Sequence, residues 1–234
     1  MKFLKPIMPR NIFPLFIFVI TGPFFSLSGQ SYIAAEDTSA GYVIFTFDNG
    51  VCGDTEHVAP TGEQLHLDIS GFVRHGVNCV SSGTSGYVST DWPATGKVNP
   101  AAYVYFNIVP HEDFEVIIPP GGLSFQVQRT ETGPDSMEVI IKPALHAPIS
   151  ILKVHIGDEL RHLYTSTSLK NIISSPSTVM FYAWSSTASE TGITTGNLLL
   201  DEVALFYKTY STVPVVPSGD AEISSILTLS PPYP

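Results

Sequence analysis

Residues 197–207, NLLLDEVALFY, are a run of strand formers broken by one acidic pair, and their reading decides the fold. Their partner is expected near the start of the chain, in 42–49, YVIFTFDN, which has the same character. A strand buried on both faces reads as nearly continuous apolar residues, so both stretches are read as central strands of one β-sandwich. Side chains alternate along a strand, which places Asp201 on the face of Leu199, Val203 and Leu205. A carboxylate on an apolar face is costly unless it is paired or bound to a cation. Glu202 takes its place if the register slips by one residue, because the slip exchanges the faces.

Outward from these two strands the same grammar recurs. Leu65, Leu67 and Ile69 alternate with polar residues, and so do Leu123, Phe125 and Val127; Met137, Val139 and Ile141 repeat the pattern. The run 103–108 is apolar on both faces, and 178–184 and 197–207 complete the set of strands. Pro119-Pro120-Gly121-Gly122 and Thr132-Gly133-Pro134-Asp135 are turn signals between them. The one helical candidate, 158–164, is short. Many short strands with Gly, Pro, Ser and Thr turns predict an all-β, antiparallel sandwich or barrel.

The ends differ from this middle. Lys2, Lys5 and Arg10 precede the apolar run 12–20, and small residues follow at 26–29, the layout of a secretory signal peptide. The run is shorter than the ~20 residues that span a bilayer. The expected organisation is a signal peptide at 1–29, a β-sandwich at 30–210 and a Pro-rich linker or tail at 211–234, with an uncleaved N-terminal anchor as the competing reading. Cleavage removes three basic residues and no acid, taking the formal charge from −10 to −13. Such a surface argues against nucleic acid, whose binding neutralises phosphates, and is compatible with divalent cations. Localisation is expected outside the cytoplasm: secreted, periplasmic or at the cell surface, with no membrane span after cleavage. In an exported chain the two cysteines, Cys52 and Cys79, are expected to form a disulfide.

Three segments together resemble a known module: Phe47-Asp48, the strand and turn LSFQVQRTETGP at 123–134, and LDEV at 200–203. They are similar to the opening, middle and closing strands of a jelly-roll, carbohydrate-binding-module-like β-sandwich of exported bacterial proteins, over roughly 41–207. The resemblance implies a jelly-roll β-sandwich, a carbohydrate ligand and, in many such modules, a structural calcium ion.

Calcium takes six to eight oxygens, and a closing strand beside an opening one brings Asp48 and Asp201 together, with Glu202 as the alternative ligand. Trp92, Trp184 and Tyr182, with Tyr87 and Tyr103, are the candidate sugar platforms, because an aromatic face stacks on the apolar face of a pyranose. His111-Glu112-Asp113 is the densest titratable cluster and reads as a solvated turn. The histidines show no zinc spacing, and there is no Walker loop or dinucleotide fingerprint. The expected function is a secreted, non-catalytic module binding polysaccharide or glycan. The alternatives are a self-associating structural or adhesive subunit of a surface layer or fibre, and a hydrolase using carboxylates scattered along the chain.

Overall fold

The computed structural model describes residues 38–47, 52, 59–81, 86–157, 159–167, 171–185 and 196–213. They form fifteen strands and no helix. In chain order these are β1 (Thr38–Phe45), β2 (Thr61–Glu63), β3 (Leu67–Ile69), β4 (Val73–His75), β5 (Asn78–Cys79), β6 (Tyr87–Thr90), β7 (Tyr103–Pro110) and β8 (Phe114–Ile118). Then come β9 (Leu123–Arg129), β10 (Ser136–Pro143), β11 (Ile149–His155), β12 (His162–Thr165), β13 (Asn171–Ile173), β14 (Ser177–Trp184) and β15 (Leu198–Ser211). The helical candidate at 158–164 forms no helix over its described residues: His162 to Thr165 instead pair with β9, where Tyr164 stacks near Phe125.

The strands make two antiparallel sheets, the expected all-β jelly-roll β-sandwich. One sheet runs β12-β9-β15-β1-β2, and β6 and β8 also pair with the long β15. The other runs β11-β10-β14-β7-β3, with β4 also on β7. β1 pairs with β15 from Thr38–Tyr210 to Phe45–Val203, so the opening and closing strands are neighbours as their sequences predict. The predicted signal peptide, Asp48 and most of the tail lie outside the described residues. Among the described residues no helix is long and apolar enough to cross a membrane.

The core lies between the sheets, built by the alternating residues of both. Phe45 meets Phe106 at 5.0 Å between ring centroids, and Phe125 meets Phe181 edge-on at 5.2 Å. Such aromatic pairs contribute about 0.5–1.5 kcal/mol beyond their burial. Tyr207 is fully buried opposite Gly41 in register. A Cβ on Gly41 would sit 2.1 Å from the Tyr207 ring, so only glycine admits this phenol. Its hydroxyl donates to the Glu63 carbonyl and accepts from the Leu65 N–H, pinning the β2–β3 connection to β15. Cys52 and Cys79 form the expected disulfide across 27 residues. Closing a loop of that length stabilises by roughly 3–4 kcal/mol in the chain-entropy view.

β15 departs from simple alternation at one place. Its register against β9 shifts between Asp201 and Ala204, a β-bulge with Glu202 at φ 45°. Leu198 and Leu200 face the core before the bulge; Val203, Leu205 and Tyr207 face it afterwards. Asp201 therefore shares a face with Leu199 but not with Val203 or Leu205. The expectation that it enters the apolar interior is corrected, and the extra residue in the bulge is the reason.

Candidate functional site

The site lies on the outer side of the β11-β10-β14-β7-β3 sheet. On β7, Val104, Phe106 and Ile108 point into the core, which leaves Tyr103, Tyr105 and Asn107 outside. On β14, Val179, Phe181 and Ala183 are core, which leaves Thr178, Met180, Tyr182 and Trp184 outside. Antiparallel register assembles these residues into rows across three strands. One row is Asn107, Thr178 and Lys142; the next is Tyr105, Met180 and Ile140. Beyond them Tyr103 packs on Tyr182 at 5.3 Å between centroids, and Trp184 lies opposite Ser136.

This face is an aromatic ladder with a polar end. Tyr103, Tyr105, Ile140 and Val98 pack around a small cluster of Met180, Tyr182 and Trp184, separate from the main core. Trp184 and Tyr182 are themselves buried. The segment after Pro93 closes over that end: Ser185 N–H donates to the Pro93 carbonyl, Gly96 N–H donates to Ser185, and Lys153 Nζ lies 5.7 Å from the Trp184 ring centroid. Burial raises the Tyr182 phenol above its ordinary value near 10, helped by Tyr103 and Glu138. Burial also raises Tyr103, with Tyr105 adding to it.

At the other end the face opens into a groove of about 530 Å³. Tyr103, Tyr105 and Met180 form its apolar wall, and Asn107, Thr178 and Lys142 form its polar wall. The size falls within the range of small-molecule sites, about 300–1,000 Å³. Thr178 Oγ1 donates to Asn107 Oδ1 at 2.8 Å, which fixes the amide and leaves its Nδ2 as a donor. The Lys142 side chain makes no hydrogen bond or ion pair among the described residues and is exposed. A half-buried tyrosine beside oriented polar groups can stack on the apolar face of a sugar ring while the polar row takes its substituents.

The residues singled out by sequence fall in three places. Tyr182, Trp184 and Tyr103 share the aromatic face, the first two beneath its covered end. Trp92 is no platform: it is 1% exposed, in the main core, with its indole N–H donating to the Ser89 carbonyl. Tyr87 is also core, under the Arg74 guanidinium at 3.5 Å. Asp201 lies on the outer side of the other sheet, where Arg161 Nη1 donates to Oδ2 at 2.8 Å and Glu202 N–H donates to Oδ1 at 2.9 Å. Glu202 accepts from Gln126. Both oxygens of Asp201 are thus engaged, one by a guanidinium, and Asp48, the other expected ligand, lies outside the described residues. No cluster of three or more His, Cys, Asp or Glu among them is placed to hold a metal. His111 lies 3.4 Å from Asp68 at an exposed turn.

Tyr105, Asn107, Lys142, Thr178 and Met180 were not singled out by sequence. The alternation Tyr103-Tyr105-Asn107 against Val104-Phe106-Ile108 carries the signal for two of them. The others join only through strand pairing between distant segments.

The chain matches no known protein family and no curated protein. Among solved structures it is similar to a mutant of CBM29-2, a family 29 carbohydrate binding module studied for its mechanism of ligand recognition. The TM-score is 0.37 at 9% identity, over 72% of this chain and 92% of that one. What the groove can hold follows from its own side chains.

Proposed function

We propose that this chain is an exported, non-catalytic carbohydrate-binding module whose glycan lies along the outer face of the β10-β14-β7 layer. The observation that carries this reading is the aromatic ladder ending in an open groove: Tyr103, Tyr105 and Met180 beside Asn107, Thr178 and Lys142. The solvent side of an antiparallel sheet is usually polar, so contiguous aromatics there call for a ligand. No carboxylate lines the groove among the described residues, which favours binding over acid–base hydrolysis. The basic start, apolar run and disulfide support export.

The test is affinity electrophoresis of the purified protein through gels containing soluble polysaccharides, supported by calorimetry. At least one polysaccharide should retard the wild type. Tyr105→Ala and Tyr103→Ala should each weaken binding about tenfold, as expected for a stacking anchor, with Tyr103→Ala also lowering the melting temperature because its ring packs on Tyr182. A double variant that binds like wild type would remove this face from the reading.

A further inference from the structure

The charge and hydrogen-bonding capacity of the groove narrow its ligand. Among the described residues Lys142 is the only charged one lining it, in a chain of formal charge −10. The internal bond from Thr178 occupies one lone pair of the Asn107 amide oxygen and orients the amide, so the row presents the Asn107 Nδ2 and the Lys142 ammonium as donors. Neutral sugars present hydroxyls, which donate as readily as they accept and are well served by carboxylates. Two carboxylates flank the groove without lining it: Glu138 lies between Tyr182 and Lys153 in register, and Asp68 is opposite the lining residue Val109, with His111 as its partner. A donor-rich, positively charged row beside a stacking wall suits a pyranose bearing an acceptor-only anionic group.

We propose that the groove prefers a uronic-acid residue, stacked on Tyr105 with its carboxylate on Lys142 and the Asn107 amide. This inference rests on the carbohydrate-binding reading and names its substrate class. The overall charge of −10 repels polyanions, so any such preference must arise locally, from the groove.

The experiment compares two forms of one polymer, de-esterified polygalacturonate and its highly methyl-esterified form, with a neutral glucan and a neutral mannan alongside. Binding by calorimetry should be about tenfold tighter to the charged form, the scale of one charge-assisted contact. Lys142→Met should weaken binding to the charged form about tenfold and so abolish that difference. Lys142→Arg should retain it, which guards against a merely structural effect. Equal affinity for both forms, or a Lys142→Met variant that keeps the preference, overturns the uronate assignment while the carbohydrate reading stands. Retention by none of the polymers overturns both.

Discussion

The outer faces of the two sheets resolve the same problem differently. β14 and β15 are both central strands with apolar residues on both sides, so each has a second face that the core does not use. On β15 that face is broken up. Asp201 there points outward to Arg161 just before the bulge, and Leu199 is roofed by the backbone of Gly86, where a Cβ would stand 2.7 Å from Leu199 Cγ. Further along, Tyr42 and Phe206 face each other in register, alone and exposed. On β14 there is no bulge, and alternation carries Met180, Tyr182 and Trp184 into one continuous strip with the tyrosines of β7. A face becomes a site when the rows of neighbouring strands agree in chemistry, and a single inserted residue is enough to prevent it.

The sharpest break of this comparison is between the two sides of one layer. Phe181 on the core side of β14 is fully buried among Phe72, Phe106 and Phe125. Phe181→Ala should cost about 3–5 kcal/mol in urea unfolding, the range for large-to-small aromatic changes in cores. Tyr105→Ala, on the outer side of the neighbouring strand, should cost far less stability and show its effect in glycan binding instead. If both variants lose similar stability, the outer face is structural and the distinction collapses.

The boundary between what the sequence disclosed and what it hid follows from the range of the interactions. Period-2 alternation is local, so strands such as 123–129 and 136–143 were legible, and so was the central place of 197–207. The pairing of β1 with β15 was legible because both carry the pattern of a doubly covered strand. The bulge was not: a positive φ at Glu202 leaves no compositional mark, and one unseen residue separates the face of Leu199 and Asp201 from the core face of Val203 and Leu205. Trp92 was misplaced for a related reason. A Trp-Pro in a polar loop suggests exposure, while the fold returns it to the core, where Ser89 satisfies its N–H. Lys142 and Thr178 are unremarkable in sequence and gain meaning only when strand pairing sets them beside Asn107.

The other sheet offers a smaller test. Arg161→Ala leaves the Asp201 carboxylate, 7% exposed, without its guanidinium. Because the arginine is partly in water, the loss should be about 1–2 kcal/mol rather than the full penalty of a deeply buried pair. Removing both charges with Asp201→Asn/Arg161→Met should recover most of it. A melting temperature indifferent to Arg161→Ala would mean that the pair is no more than a surface contact.

The smallest expected effect separates the faces by proton affinity. Tyr207 is held in the core, and burial raises its phenol above the ordinary value near 10; the Leu65 N–H acts in the opposite direction and Glu63 adds to the rise. Tyr103 and Tyr182 on the aromatic face are raised by burial first and by their neighbours second. A phenol with a raised folded value holds its proton longer in the native state than in the unfolded chain. Its contribution to stability is complete below pH 10 and is lost as pH climbs from there through the folded values. Ultraviolet titration near 295 nm should therefore show a group of tyrosines in the native protein ionising later than in urea, and superimposable curves would contradict the burial of all three. A saturating glycan sharpens the contrast. By excluding water from the groove it should delay Tyr103 further, a shift that Tyr103→Phe removes, while Tyr207, sealed between the sheets, should titrate as it does in the free protein.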